Sequence, residues 1–307
     1  MENAIDITNL NKVYKNKVIA LENINLSVKK GDIFAFLGPN GAGKSTAIGI
    51  ISSLVTITSG NVSVFGKNIQ KNPEFAKKNI GLVPQEFNLN QFISIEETMI
   101  NTAGYFGITK DIAYKRTEKL FHKLGIWEKR KNTPREISGG MKRRLMIARA
   151  LIHKPNILIL DEPTAGVDTE LRLYMWDFLK EINSRGVSII LTTHYLEEAE
   201  RLCKNLAIIH KGTIIQHSSM EKVFEKRRSH TYILKTSEPI NKGTTINGLS
   251  FIKTDKHTYE ITISNGVSVT DIIEKLKLKN INVVSMSSKR NILEELFIEL
   301  TKEKTQS

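Results

Sequence analysis

The sequence predicts an α/β fold, and three stretches carry that expectation. Ile33-Phe34-Ala35-Phe36-Leu37 is a short apolar run that reads as a buried parallel strand, followed by a glycine-rich loop and then by Ala47-Ile48-Gly49-Ile50-Ile51 as a helix. Ile157-Leu158-Ile159-Leu160 is a second such strand and ends in two acids, Asp161-Glu162. Val187-Ser188-Ile189-Ile190-Leu191 is a third and ends at Thr193-His194. Buried apolar strands separated by helices are the pattern of a parallel sheet covered on both faces.

The loop after the first strand is Gly38-Pro39-Asn40-Gly41-Ala42-Gly43-Lys44-Ser45-Thr46, which fits G-x-x-x-x-G-K-[ST], the phosphate-binding loop. Its glycines let backbone N–H groups turn inward around an anion. The helix N-terminus adds its dipole. Lys44 is expected to reach the β- and γ-phosphates of a nucleotide, and the Ser45 hydroxyl to ligate Mg²⁺. The two acids at the end of the second strand complete this chemistry. Asp161 is expected to engage the Mg²⁺ and Glu162 to activate the attacking water. Two acids at a strand end that merely cap the next helix are the plainer alternative, and the phosphate loop elsewhere in the chain weighs against it.

Composition narrows the class. The chain has 307 residues, 40% hydrophobic and 25% charged, which suits a globular protein of one large or two modest domains. No apolar run approaches the ~18–20 residues that cross a bilayer. The opening Met1-Glu2-Asn3-Ala4-Ile5-Asp6 lacks a basic-then-apolar pattern, so no secretory leader is expected. The single cysteine, Cys203, allows no internal disulfide, and no Cys/His cluster suggests zinc. The cytoplasm is the expected compartment. The formal charge of +13, from 45 Lys+Arg against 32 Asp+Glu, would suit nucleic acid or an anionic membrane surface. A lysine-rich genome composition accounts for it better, because the lysines are scattered, with short clusters such as Lys142-Arg143-Arg144 and Lys226-Arg227-Arg228. Membrane proximity ranks second, and no nucleic-acid partner is expected.

The remaining elements follow in chain order. Residues 4–10 and 21–28 alternate apolar and polar, as an antiparallel sheet before the first parallel strand would. Tyr14 lies between them, where it either stacks on a base or covers a loop. Residues 62–65 and 80–83 read as strands, the second ended by Pro84 and followed at once by Gln85. Ligand-binding residues of α/β folds gather at such strand ends. Ser94-Ile95-Glu96-Glu97 is a capping box opening a helix. A second helix is expected over 112–124, with Ala113, Thr117, Leu120, Phe121 and Leu124 on one stripe and Gly125 as its stop. Ser138-Gly139-Gly140-Met141 then opens a helix capped by Ser138, with Met141, Leu145, Ala148 and Ile152 inward and Lys142, Arg143, Arg144 and Arg149 mostly outward. A serine and two glycines opening a helix make a second anion-binding design. Pro163 to Asp168 form a turn into a helix over 171–183. His194, at the end of the third strand, either hydrogen-bonds a γ-phosphate or is an ordinary surface histidine. A hairpin is expected about Lys211-Gly212, and a charged helical linker over 221–228. Beyond it, strands near 232–234, 259–263 and 281–284, a turn at Asn265-Gly266 and helices over 269–278 and 293–300 make a small α+β unit without a catalytic constellation.

Taken together, these motifs resemble the ATP-binding subunit of ABC transporters over about residues 4–225. The resemblance identifies Walker A in the loop from Gly38 to Thr46, the Q-loop at Gln85, the signature at Ser138-Gly139-Gly140-Met141 and Walker B ending at Asp161. By the same similarity Glu162 is the catalytic glutamate, Asp168 the D-loop aspartate, His194 the switch histidine and Tyr14 the aromatic that stacks on adenine. Gln85 joins Ser45 and Asp161 around the Mg²⁺. Met141 in place of the usual Gln, the phrase from Leu191 to Glu200 and the tail Leu293-Glu294-Glu295-Leu296-Phe297 are similar to the bacterial drug- and polysaccharide-exporting group, the type 2 exporters. Ile137 and Ala165 depart from the frequent Leu and Ser of the family; the second bears on communication across a dimer interface.

The resemblance implies a P-loop NTPase fold of ABC type, with an antiparallel β subdomain and a helical signature subdomain over about 90–155. Residues 1–225 would be the ATPase domain and 226–307 an α+β extension that regulates or dimerises. It also implies a homodimer in the ATP-bound state, each ATP lying between one subunit's Walker A and the other's Ser-Gly-Gly. A separate multi-span permease would be the partner, at the cytoplasmic face of the inner membrane, contacted through the helical insert near 85–124.

Overall fold

The computed structural model describes residues 2–193, 195–225, 229–240, 249–264, 269–288, 293–294 and 296–297. His194, the Lys226-Arg227-Arg228 cluster, the Asn265-Gly266 turn and half of the helix expected over 293–300 lie outside the described residues. The chain divides into two units, Met1–Ser219 and Met220–Ser307. The division thus falls before the charged helix that the sequence reading placed largely with the first unit.

The first unit opens with β1 (Asn3–Val13) and β2 (Ile19–Lys29), an antiparallel pair in which Ile7 faces Leu26. β3 (Ile33–Leu37) follows, then α1 (Lys44–Ile51), β4 (Ser59–Val64) and the short β5 (Lys67–Asn68). The strands β2-β1-β4-β5 form one antiparallel sheet. Its alternating residues Ile5, Ile7, Ile24, Leu26, Val28, Val62 and Val64 are buried in a core shared with β3 and α1. The predicted period-two pattern therefore puts one face of this sheet against the nucleotide-loop layer.

The rest of the unit is built around a second sheet. α2 (Pro73–Asn79) leads into β6 (Ile80–Val83). The insert then supplies α3 (Ile95–Tyr105), α4 (Lys110–Lys123) and α5 (Gly139–Leu151). β7 (Ile157–Asp161), α6 (Thr169–Ser184), β8 (Ser188–Thr192), α7 (Leu196–Leu202), β9 (Asn205–His210) and β10 (Thr213–Ser219) complete it. The sheet order is β10-β9-β3-β8-β7-β6, parallel except for the edge hairpin partner β10. Every residue of β3, β7 and β8 is buried, as continuous apolar runs in a two-sided sheet must be. Register decides which strand ends meet. Phe36 lies beside Thr192, Asp161 beside Thr192, and Val83 beside Leu160. The carboxyl ends of β3, β6, β7 and β8 therefore finish on one edge, and the residues just beyond them meet.

The insert is held by local chemistry that the sequence already contained. Ser94 accepts from the Glu97 N–H at 3.1 Å, while Glu97 accepts from the Ser94 N–H at 2.9 Å, closing the capping box of α3. Ala113, Thr117 and Phe121 of α4 are buried with Leu124, and Gly125 stops the helix at φ +63°. One expectation fails on α5. Arg143 is 3% exposed rather than outward, and Arg149 is half-buried, because both guanidinium groups turn onto the chain after β6. Helical spacing alone cannot reveal this, since the acceptors lie 58 to 61 residues upstream in the sequence and are neighbours only in space. Among the described residues, no helix is long and apolar enough to cross a membrane.

The second unit contains α8 (Met220–Glu225), β11 (Ser229–Thr236), β12 (Leu249–Asp255), β13 (Thr258–Ser264), α9 (Val269–Leu278) and β14 (Val283–Ser288). Its antiparallel sheet runs β12-β13-β11-β14, and Ile272 and Leu276 of α9 pack on Leu234, Tyr259, Ile261 and Ile263. β12 escapes the sequence reading because it is an edge strand whose Ile252 is 59% exposed, so its alternation is weak.

Candidate functional site

The loop between β3 and α1 is wrapped around its own lysine. Lys44 is 7% exposed, and its Nζ donates to the carbonyl oxygens of Gly38 at 2.6 Å and Pro39 at 3.0 Å. Burial lowers the Lys44 pKa, and the charges of Glu162 and Asp161 oppose that shift. Gly43, just before α1, has φ +110°, and a Cβ there would stand 2.7 Å from the Ala20 carbonyl oxygen. Only glycine meets both demands, and its conformation aims the first N–H groups of α1 into the loop.

Opposite the loop stand the acids at the end of β7. Ser45 Oγ lies 3.4 Å from Asp161 Oδ2, and Asp161 Oδ1 accepts from the Thr192 hydroxyl. Glu162 holds a left-handed backbone at φ +49°, which costs a residue with a Cβ roughly 1–2 kcal/mol. Its N–H donates to both the carbonyl and the hydroxyl oxygen of Thr192, each at 3.1 Å, so the end of β8 holds the strained turn in place. Gln85 Nε2, arriving from the end of β6, donates to Glu162 Oε2 at 3.2 Å. Tyr14 stands at the rim, 38% exposed, with its hydroxyl 3.3 Å from Thr46 Oγ1.

These residues line one cavity of about 480 Å³, in the range of small-molecule sites. Tyr14, Asn40, Gly41, Ala42, Gly43, Lys44, Ser45, Thr46, Gln85, Asp161 and Glu162 all border it, with Val18 and Ile19 adding apolar surface beside Tyr14. Gly38 and Pro39 contribute through their carbonyls on Lys44. The donor set of hydroxyl, carboxylate and amide oxygens suits Mg²⁺, which takes few protein ligands and completes its shell with phosphate and water. Among the described residues no cluster of three or more His, Cys, Asp or Glu forms an all-protein metal cage.

The other predicted residues stand apart. Ser138, Gly139, Gly140, Met141 and Asp168 do not line this cavity. Ser138 caps α5 by accepting from the Met141 N–H at 3.2 Å, and Asp168 caps α6 by accepting from the Leu171 N–H at 2.9 Å. The two turns pack together: a Cβ on Gly140 would stand 2.6 Å from Leu171 Cδ2. Gly140→Ala is expected to cost about 1 kcal/mol of stability in urea denaturation while nucleotide affinity of the single subunit stays unchanged. A tenfold loss of affinity would contradict this separation of the two turns from the cavity. Thr192 and Arg143 are the residues the sequence reading missed. A hydroxyl closing an apolar strand was the available signal for Thr192; Arg143 offered none.

A family model for ABC transporters matches residues 21–165. The chain is 36% identical over 302 residues to the linearmycin resistance ATP-binding protein LnrL of Bacillus subtilis (strain 168), covering 95% of this chain and 96% of that protein. The chain belongs to the ABC transporter family, as an ATP-binding subunit. It is also 37% identical over 221 residues to the Nod factor export ATP-binding protein I of Burkholderia orbicola (strain AU 1054), with 72% of each chain covered. Among solved structures, the ATP-binding subunit of an ABC transporter superposes with a TM-score of 0.67 at 27% identity, over 73% of this chain and 92% of that one. The ATP-binding cassette MJ0796, as a dimer in a post-hydrolysis state bound to ADP and Pi, superposes with a TM-score of 0.65 at 25% identity, over 70% and 98%. The fold of the first unit is thus that of ABC ATPases. The match to LnrL extends through both units of this ABC subunit, whereas these structures match about three quarters of it or less.

Proposed function

We propose that this ABC ATPase is the motor of a bacterial exporter, coupling ATP-driven dimer closure to a separate multi-span permease at the cytoplasmic face of the cell membrane. One observation carries the motor reading: Lys44, Ser45, Gln85, Asp161 and Glu162 converge in a single cavity from the ends of three adjacent or alternate strands. The near full-length likeness to LnrL, a resistance protein, and the likeness to a Nod factor export protein support export as the direction.

Each side chain then has a task. Adenine packs on Tyr14, Val18 and Ile19 at the rim. Lys44 gives its two carbonyl contacts over to the β- and γ-phosphates. Ser45, Asp161 and Gln85 hold Mg²⁺, which neutralises phosphate charge when bound. Thr192 keeps Asp161 turned towards Ser45. Glu162, oriented by Gln85, takes the proton of the attacking water, and His194 assists at the γ-phosphate. Ser138, Gly139, Gly140 and Met141, together with Asp168, serve the nucleotide of a second copy. Their position outside their own subunit's cavity supports that division. A homodimer with two-fold symmetry provides two such shared pockets.

The permease would dock on the groove between α2, α3 and α5, a cavity of about 700 Å³ bordered by Lys77, Lys78, Tyr105 and Arg149. Tyr105 is 89% exposed there. A short amphipathic cytoplasmic helix with an acidic end would fit this mixed surface. The test co-expresses the chain with the multi-span membrane protein of the neighbouring reading frame. Wild-type chain should sediment with membranes, and Lys77→Glu with Lys78→Glu should reduce that fraction at least threefold. A chain that stays soluble with its candidate permease, but shows salt-sensitive DNA or ribosome binding with stimulated ATPase, would overturn the reading.

A further inference from the structure

The segment that follows β6 has a backbone problem. Pro84 follows the strand directly, and the carbonyls of Pro84 and Gln85 lie beyond the ladder of β6, in a part-buried setting where a donor from elsewhere satisfies them. Arg143 supplies both. Its Nη1 donates to the Pro84 oxygen and its Nη2 to the Gln85 oxygen, each at 3.0 Å. The guanidinium also sits 4.9 Å from the Phe87 ring centroid, a cation–π distance. Further along α5, about 9 Å by helix rise, Arg149 Nη1 donates to the Asn88 oxygen at 2.7 Å. One helix thus straps four residues of one loop with two planar, permanently charged forks, and the deeper fork is 3% exposed.

That loop carries Gln85, whose side chain orients Glu162. Burial lowers the Arg143 pKa, and the charges of Asp161 and Glu162 oppose that shift. We propose that Arg143 is a positioning residue for hydrolysis: it fixes the backbone of Gln85, and through it the Gln85–Glu162 hydrogen bond, against the helix that begins at Ser138. The inference rests on the proposed roles of Gln85 and Glu162. Arg143 does not line the cavity; it acts through the loop. Arg149 reinforces the same strap at its far end.

The experiment uses the full chain with ATP and Mg²⁺, and Arg143→Ala, Arg143→Lys, Gln85→Ala and the Arg143→Ala/Gln85→Ala pair. Arg143→Ala should lower kcat about tenfold with ATP affinity within twofold of wild type. It should also raise amide hydrogen exchange in the peptide covering 84–89 more than elsewhere. Arg143→Lys, which keeps the charge but not the fork, should fall between the two. In the Gln85→Ala background the Arg143→Ala effect on kcat should shrink to below twofold, because the group it positions is gone. An undiminished loss in that background, or unchanged exchange over 84–89, would overturn the proposal. A Gln85→Ala variant that hydrolyses ATP at the wild-type rate would overturn the site reading on which it rests. The exchange measurement reports on the strap independently of that outcome.

Discussion

Glu162→Gln is expected to lower kcat for ATP hydrolysis by about 10²–10⁴-fold, the range of a lost general base. The amide is isosteric, so the left-handed turn and its two Thr192 bonds survive; they are made by the backbone N–H rather than by the carboxylate. A Gln side chain still offers an oxygen to Gln85 Nε2, so the cavity keeps its shape. What it cannot do is accept a proton from water. ATP should therefore bind and stay. With hydrolysis blocked, the subunit should elute from gel filtration as a dimer in the presence of ATP and as a monomer without it. Wild-type hydrolysis by this variant would remove Glu162 from the role. Lost hydrolysis with no ATP-dependent dimer would instead contradict the shared-pocket arrangement.

Lys44→Ala should act on the earlier step. The ammonium is the one cationic side chain that borders the cavity among the described residues, and it is buried. Hydrogen bonds to charged groups contribute about 1.5–3 kcal/mol, so ATP affinity should weaken roughly 10- to 150-fold. Affinity for adenosine, which lacks phosphates, should not change, because Tyr14, Val18 and Ile19 are untouched. Titration with the two ligands separates these outcomes. Equal losses for both would mean that the substitution collapsed the loop, whose Gly38 and Pro39 carbonyls lose their donor. No loss for ATP would remove Lys44 from phosphate binding.

In the proposed site the two variants divide the cavity by chemistry: one removes the charge that binding would use, the other the base that only hydrolysis would use. Arg143→Ala belongs with the second, although it lies outside the cavity. Its effect is transmitted by two backbone carbonyls rather than by contact.

Much of this site was legible in the amino-acid sequence by itself, and the reason is local. A glycine loop, a lysine and a serine must be consecutive to wrap one phosphate, so Gly38 to Thr46 could be read directly. Two acids after four apolar residues must leave a buried strand at its end. Caps are equally local, and Ser94, Ser138 and Asp168 each accept the backbone N–H three residues on, as helix geometry requires. Only the tertiary structure decided which strand ends meet. The order β3-β8-β7-β6 and its register bring Gln85 to Glu162 across 77 residues and Thr192 to Asp161 across 31. It also turned Arg143 inward. Helical periodicity places a side chain on a face, but the acceptors that draw a guanidinium under a loop come from another part of the chain. That is why the glycine loop could be named from its own residues, while the residues that hold the acids and Gln85 opposite it in place could be found only in the fold.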